Sequence, residues 1–357
     1  MATQPSIDQA KMEEFMHKVV GDLSGTLVTT MCVLGDRLGL FKDLASNGPA
    51  TSEELADRTG IKERYAREWL GCLASAGYLE YDPASQRFTL PTEQAQALAQ
   101  ELGPMFVGGI HQMLPSWWNQ LDRVTQAFQQ GGGVPQGAYD DNFWDGLERF
   151  TGGWFENLLV QEWLPAVPGV QAKLQRGALV ADVGSGSGRA LINLAQTFPN
   201  SRYIGYDVYG PVIAKATANA EAAGVADRVS FKQLNVVDGL PEQYDLITTF
   251  DVIHDSVNPH GVLRAIRQGL KPDGTYLLLE INCLDRLEDN AGPLGAMFYG
   301  VSVLYCMTTS LAGGGEGLGT MGMPESKVRA FCTEAGFSSV RPLPIENPFN
   351  ILYEVKP

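Results

Sequence analysis

Residues 178–188 read Ala178-Leu-Val-Ala-Asp182-Val-Gly184-Ser-Gly186-Ser-Gly188. The first six are an apolar, β-branched run that predicts a buried strand. Three alternating glycines follow, and Arg189–Phe198 continues with helical spacing. Strand, glycine-rich turn and helix together make a nucleotide-type site, because glycines let a ligand approach the backbone closely. The spacing is Gly-x-Gly-x-Gly, not the Gly-x-Gly-x-x-Gly of dinucleotide sites. Asp182 sits inside the strand end, where its carboxylate would repel a pyrophosphate. It would hold a ligand with a cationic amino-acid part.

A second strand, Asn200–Asp207, ends in another carboxylate. Asp207 lies about twenty residues beyond the loop, where an acid at a strand end can accept from both ribose hydroxyls. NAD sites use the same device, so Asp207 alone does not choose between cofactors. With Asp182 and the glycine spacing it points to S-adenosyl-L-methionine, a phosphate-free nucleoside that carries an ammonium group.

Residues 178–282 resemble the core of the class I S-adenosylmethionine-dependent methyltransferases. The likeness continues in order through Val229–Asp238, Tyr244–Asp255 and Gly274–Glu280. It implies a Rossmann-like seven-stranded sheet, and S-adenosyl-L-homocysteine as product. It also implies a cofactor shell of Asp182, Gly184, Gly186, Gly188, Asp207, Asn235, Val236, Phe250 and Asp251. In the family an acid at the end of the third strand meets the adenine amino group. Here that position is Asn235, whose amide oxygen can still accept, with Asp238 as the substitute.

At 357 residues the chain exceeds one ordinary core. A formal charge of −15 argues against nucleic-acid or anionic-membrane partners and for small molecules. Cys32, Cys72, Cys283, Cys306 and Cys332 are scattered and odd in number, the usage of a reducing cytoplasm, and burial as small apolar residues is expected. With four histidines, no metal site is expected. Residues 1–8 are polar, without the apolar core of a signal peptide. No apolar run reaches membrane-spanning length by inspection.

Phe15, Val19, Leu23 and Leu27 step by four along a helical stretch from 7 to 45. A capping box at Thr51–Glu54 opens one short helix, and a second from about 62 to 76 should pack Tyr65, Trp69, Leu70 and Leu73. A strand, turn and strand complete a winged helix-turn-helix. From 51 to 90 five basic residues face seven acidic ones, a poor balance for DNA. The region is similar to the winged-helix module of small-molecule O-methyltransferases and of a bacterial methyltransferase group. That likeness implies a homodimer. The expected domains are an N-terminal helical and winged-helix dimerisation domain at 1–95, a helical connector at 96–170 and a catalytic domain at 171–357. A lid insertion is expected at about 283–323. The connector and insertion should supply the acceptor pocket, with His111, Trp118, Tyr139, Phe150, Trp154, Phe298 and Tyr299 as candidates.

His254 and Glu280 are the candidate catalytic residues. His254-Asp255 leaves the fourth strand of the catalytic sheet and is similar to the His-Asp of plant-type O-methyltransferases, where the histidine deprotonates the acceptor hydroxyl. Ser256-Val-Asn lacks the tryptophan that usually follows. Glu280 matches a position that helps hold the histidine. A phenol is mostly protonated at neutral pH, and histidine can take its proton. The expected function is methylation of a small molecule at oxygen. The alternatives are sulfur or nitrogen methylation without a base, or a non-catalytic regulator that binds S-adenosylmethionine or DNA.

Overall fold

The computed structural model describes residues 7–345 and 347–357. Part of the polar N-terminal stretch, residues 1–6, lies outside them. The chain forms two compact units, Met1–Leu114 and Pro115–Pro357, and the division falls within the span 96–170.

In the first unit, α1 (Gln9–Arg37) starts at Asp8, whose carboxylate accepts from the amides of Ala10 and Lys11. Helix α2 (Leu40–Asn47) follows. The capping box opens α3 (Ser52–Thr59): Thr51 Oγ1 accepts from Glu54 N, and the Glu54 carboxylate accepts from Thr51 N. Helix α4 (Glu63–Ser75) buries Ala66, Trp69, Leu70 and Leu73. Tyr65, expected in that stripe, is 77% exposed, because it lies about 100° round the helix from Ala66. Gly35 lets α1 approach Trp69, since a Cβ there would stand 2.6 Å from the indole. Strands β1 (Glu80–Asp82) and β2 (Arg87–Thr89) pair antiparallel as the wing, and α5 (Thr92–Leu98) follows. Helix α6 (Gly108–Trp118) runs across the division between the units.

The second unit begins with α7 (Leu121–Gln130) and α8 (Asp141–Trp154), which continues as a π-helix over Phe155–Trp163. After α9 (Val170–Arg176), strands alternate with helices: β3 (Leu179–Val183), α10 (Arg189–Thr197), β4 (Arg202–Asp207), α11 (Gly210–Ala222), β5 (Val229–Gln233), β6 (Tyr244–Phe250), α12 (Pro259–Gly269) and β7 (Leu270–Ile281). The insertion carries α13 (Pro293–Val301), a π-turn at Ser302–Cys306 and α14 (Met307–Ala312). Helix α15 (Glu325–Glu334), β8 (Ser339–Pro342) and β9 (Asn350–Lys356) close the chain. The sheet order is β5-β4-β3-β6-β7-β9-β8, parallel through β7 and antiparallel thereafter. The chain order reverses between β3 and β6, which sets the ligand cleft at the carboxyl ends of these strands.

Helix Pro293–Ala312 corrects one expectation. Its 20 residues are long and apolar enough to cross a membrane by length and composition. Small polar residues (Ser302, Thr308, Thr309 and Ser310) interrupt the apolar pattern on which the sequence reading relied, yet all four are buried.

Candidate active site

The three loop glycines have φ of +73°, +49° and +81°, left-handed values that favour glycine. A Cβ at Gly184 would stand 2.5 Å from Val252, and one at Gly188 2.3 Å from Phe231. Asp182 is 2% exposed, and its Oδ1 accepts from Thr248 Oγ1 at 2.7 Å. Burial pushes its pKa up to about 7. Asp207 accepts from the Gly186 and Tyr209 amides, at 3.1 and 2.9 Å, and burial raises its pKa too. Ser185 Oγ is buried with no hydrogen-bond partner among the described residues. Asn235 is exposed and caps the turn at Val236–Asp238, accepting from Val237 N. Val236 is buried beside it, and Phe250 packs against Phe155 and Trp163.

His254 and Glu280 come together at the ends of β6 and β7, 3% and 0% exposed. His254 Nδ1 lies 2.7 Å from Glu280 Oε2, while Glu280 Oε1 accepts from Ile253 N at 3.0 Å. Burial alone would lower the His254 pKa. The neighbouring Glu280 and Cys306 outweigh burial and hold it well above 6.5. With Nδ1 engaged by the carboxylate, Nε2 is the nitrogen left to take a proton. Asp251 ends the same cluster, and its ligand atoms lie within 4.8 Å of those of His254 and Glu280. A cation there would have to displace the His254–Glu280 hydrogen bond.

The aromatic candidates separate into two groups. Phe150, Trp154 and Phe298 gather round Phe349. Tyr139 packs with Phe143 and Tyr305, and Trp144 stacks on Tyr209 beside them. Tyr299 on α13 is 41% exposed, and Trp118 ends α6 at 36%. His111 is buried in the first unit. Sequence reasoning missed Asn350, Tyr305, Phe349 and Cys306. All four lie at least 51 residues beyond His254 in the chain, and no local motif marks them.

Helix α8 and its π-helical continuation are tied to α10 and α11 by charge. Arg189 pairs with Glu148 and Glu156 at 3.1 and 3.0 Å, and Lys215 pairs with Asp145 and Glu148. Asn219 Nδ2 donates to the loop carbonyl of Ser187 at 3.1 Å.

Residues 174–311 match the family described as a methyltransferase domain. Residues 26–100 match the Rv2258c-like winged HTH domain. The chain is a winged-helix methyltransferase. Among its relatives is the mitomycin biosynthesis 6-O-methyltransferase of Streptomyces lavendulae, 24% identical over 85% of this chain and 83% of the relative. The fold is that of the mitomycin 7-O-methyltransferase MmcR, with TM-score 0.69, 20% identity, and 98% and 100% of the two chains covered. Human N-acetylserotonin methyltransferase in complex with SAM has TM-score 0.70 at 18% identity, over 99% of each chain. PigF with SAH has TM-score 0.70 at 19% identity, over 95% of this chain and 99% of that one. The residues fit S-adenosyl-L-methionine: the buried acid Asp182, a serine hydroxyl with no hydrogen-bond partner among the described residues, and a loop with glycine at every second position converge at one end of the sheet.

Proposed function

We propose that this methyltransferase acts on a hydroxyl group of a small molecule, with His254 as general base. The buried His254–Glu280 pair at the strand ends carries this reading. The oxygen-methylating activity named for the Streptomyces lavendulae relative supports it. S-adenosylmethionine, when bound, supplies an electrophilic methyl group on a sulfonium. Asp182 would hold its amino-acid end and Asp207 its ribose. Glu280 fixes the imidazole through Nδ1, and Nε2 takes the hydroxyl proton as the oxygen attacks. The aromatic residues of α8 and the insertion would orient a flat acceptor and exclude water.

We assign the winged helix a structural rather than DNA-reading role. Both arginines of α4, the second helix of the helix-turn-helix, are already paired, Arg64 with Glu68 and Arg67 with Glu63. A homodimer in a reducing cytoplasm completes the proposal. Exposed Phe15, Leu23 and Leu27 on α1, and five free cysteines, support it.

The test is a single-turnover pH profile of wild type and His254→Ala with hydroxylated aromatics. The variant should lose about 10²–10⁴ in rate at neutral pH and regain part of it at high pH. S-adenosylhomocysteine affinity should hold. Full activity of the variant at neutral pH would move the acceptor to sulfur or nitrogen.

A further inference from the structure

Trp144 and Glu148 lie one turn apart on α8 and so share a face. Each reaches a different turn at the cofactor end of the sheet. The Trp144 ring stacks on Tyr209, with centroids 4.8 Å apart. Tyr209 N in turn donates to Asp207 Oδ1 at 2.9 Å. Glu148 meets the helices that follow β3 and β4. Its Oε1 accepts from Arg189 at 3.1 Å, and Lys215 Nζ lies 2.7 Å from its Oε2. Asn219 Nδ2 stands 3.5 Å from the same Oε1 and donates to Ser187 O at 3.1 Å.

Glu148 is thus one side chain away from the glycine loop in two directions. Arg189 follows Gly188 directly in the chain, and Asn219 grips the carbonyl that lies between Gly186 and Gly188. The Glu148 side chain is 12% exposed, against 29% for Arg189 and 34% for Lys215. A carboxylate this sheltered is screened less than one in a surface pair.

The loop gains from support outside itself. Gly184 N and Ser185 N donate to Tyr206 O and fix its first half to β4. Gly188 N only donates back to Ser185 O, within the loop. Gly186 N donates to Asp207 Oδ2, but Asp207 is the group assigned to the cofactor ribose, so bound cofactor competes for that acceptor. Glycine loses more conformational freedom on ordering than any other residue. A loop ordered beforehand loses less of it when the ligand arrives, and binds more tightly.

We propose that Glu148 is a positioning residue for the cofactor, which acts through Asn219 and Arg189 to hold the second half of the glycine loop in its binding conformation. This rests on the S-adenosylmethionine reading above. Both cations keep a further acceptor, Arg189 with Glu156 and Lys215 with Asp145. Removing the Glu148 charge therefore loosens the loop and leaves each cation paired.

The test follows the full-length enzyme by amide hydrogen exchange without ligand, and then its binding of S-adenosylhomocysteine by calorimetry. Glu148→Gln keeps the side-chain shape and removes the charge. The peptide covering residues 184–189 should exchange at least about fivefold faster in this variant, with β6 unchanged. The S-adenosylhomocysteine Kd should rise about tenfold, the equivalent of one charge-assisted hydrogen bond. Glu148→Asp keeps the charge and should stay within about threefold of wild type. Asn219→Leu removes the link to Ser187 and should have both effects of Glu148→Gln. The double variant should fall short of the product of the two Kd changes, because both residues act along one chain of contacts. Glu68→Gln, which removes the acceptor of a surface pair with Arg64, should change neither quantity.

If Glu148→Gln does not fold, Asn219→Leu decides by the same two measurements. Unchanged loop exchange in a folded variant, equally faster exchange throughout the sheet, or a double variant that equals the product of the singles overturns the proposal. If the wild type binds no S-adenosylhomocysteine, the cofactor reading fails instead. Loop exchange, measured without ligand, still decides whether Glu148 holds the loop.

Discussion

Asn350 Nδ2 donates to both carboxylate oxygens of Asp251, at 2.7 and 2.9 Å, and so joins the C-terminal strand to the end of β6. Asp251 needs that support. Its φ of +57° is unusual for a residue other than glycine, a conformation that costs about 1–3 kcal/mol and persists only when its surroundings fix it. Its amide donates to Leu279 O at 3.0 Å. The residue is thus held from two neighbouring strands, three positions before His254.

Asn350→Leu keeps the side-chain size and removes the donor. The variant should be less stable by about 1–3 kcal/mol, the cost of leaving a buried polar group unsatisfied. It should also methylate more slowly, because the turn that carries His254 starts at Asp251. Urea denaturation and single-turnover kinetics measure the two effects. Wild-type values in both would show that Asp251 holds its backbone unaided.

Glu280→Gln tests the electrostatics of the base. The active form is the neutral imidazole, so the rate should rise as pH passes the His254 pKa. In wild type that limb lies above 6.5, because Glu280 and Cys306 outweigh burial. In the variant burial remains and the charge is gone, so the midpoint should fall toward or below 6.5. Stability follows the same sign. A folded pKa above the unfolded value gives stability that is full below about 6.5 and lost as pH rises through the folded pKa. The variant should lack that loss above pH 6.5 in urea melts.

The sheet was legible because each strand and helix carries its own periodicity. Tyr244–Phe250 and Pro259–Gly269 lie where alternation and capping put them. The glycine loop was legible because its conformation is local. Asn350 was not, because it meets Asp251 across 99 residues of sequence, through an antiparallel strand whose composition says only that it is buried. Tyr305 was hidden for a similar reason, because it meets Tyr139 and Phe143 from a distant part of the sequence, through the π-turn of the insertion. The long helix Pro293–Ala312 was misread because helical burial gathers serines and threonines that a linear scan counts as breaks.

The α1 stripe leads to a solution experiment. Phe15, Leu23 and Leu27 are 59%, 61% and 64% exposed. An apolar row of this length on a stable protein marks an interface. Light scattering of the wild type should give a dimer at micromolar concentration. The double variant Leu23→Glu, Leu27→Glu should be monomeric and still folded, since neither residue belongs to the buried core of the first unit. A monomeric wild type, or a dimeric variant, would refute the assignment.

Asp207 should discriminate between nucleoside cofactors. Calorimetry should detect S-adenosylhomocysteine and no NAD, because Asp182 opposes a pyrophosphate. Asp207→Ala should weaken S-adenosylhomocysteine by about 1.5–3 kcal/mol for each lost charged hydrogen bond. Unchanged affinity would remove Asp207 from the ribose site.

Asp182 gives that binding a pH dependence whose sign is fixed. Burial pushes its pKa up to about 7 in the free enzyme, while the Thr248 hydroxyl only partly offsets this. With the folded pKa above the unfolded value of 3.8, its stability contribution is full below about 3.8 and lost as pH rises through about 7. The ammonium group of the cofactor favours the carboxylate and reverses the preference. Binding below pH 7 should therefore release a proton. Affinity should climb by up to about tenfold per pH unit through this range and level off above it. Calorimetry of S-adenosylhomocysteine at pH 6, in buffers of different ionisation enthalpy, counts that proton directly. Asp182→Asn should bind weakly with a flat pH profile. A variant that kept the wild-type slope, or a wild type that released no proton at pH 6, would show that Asp182 stays protonated in the complex and that another group holds the ammonium.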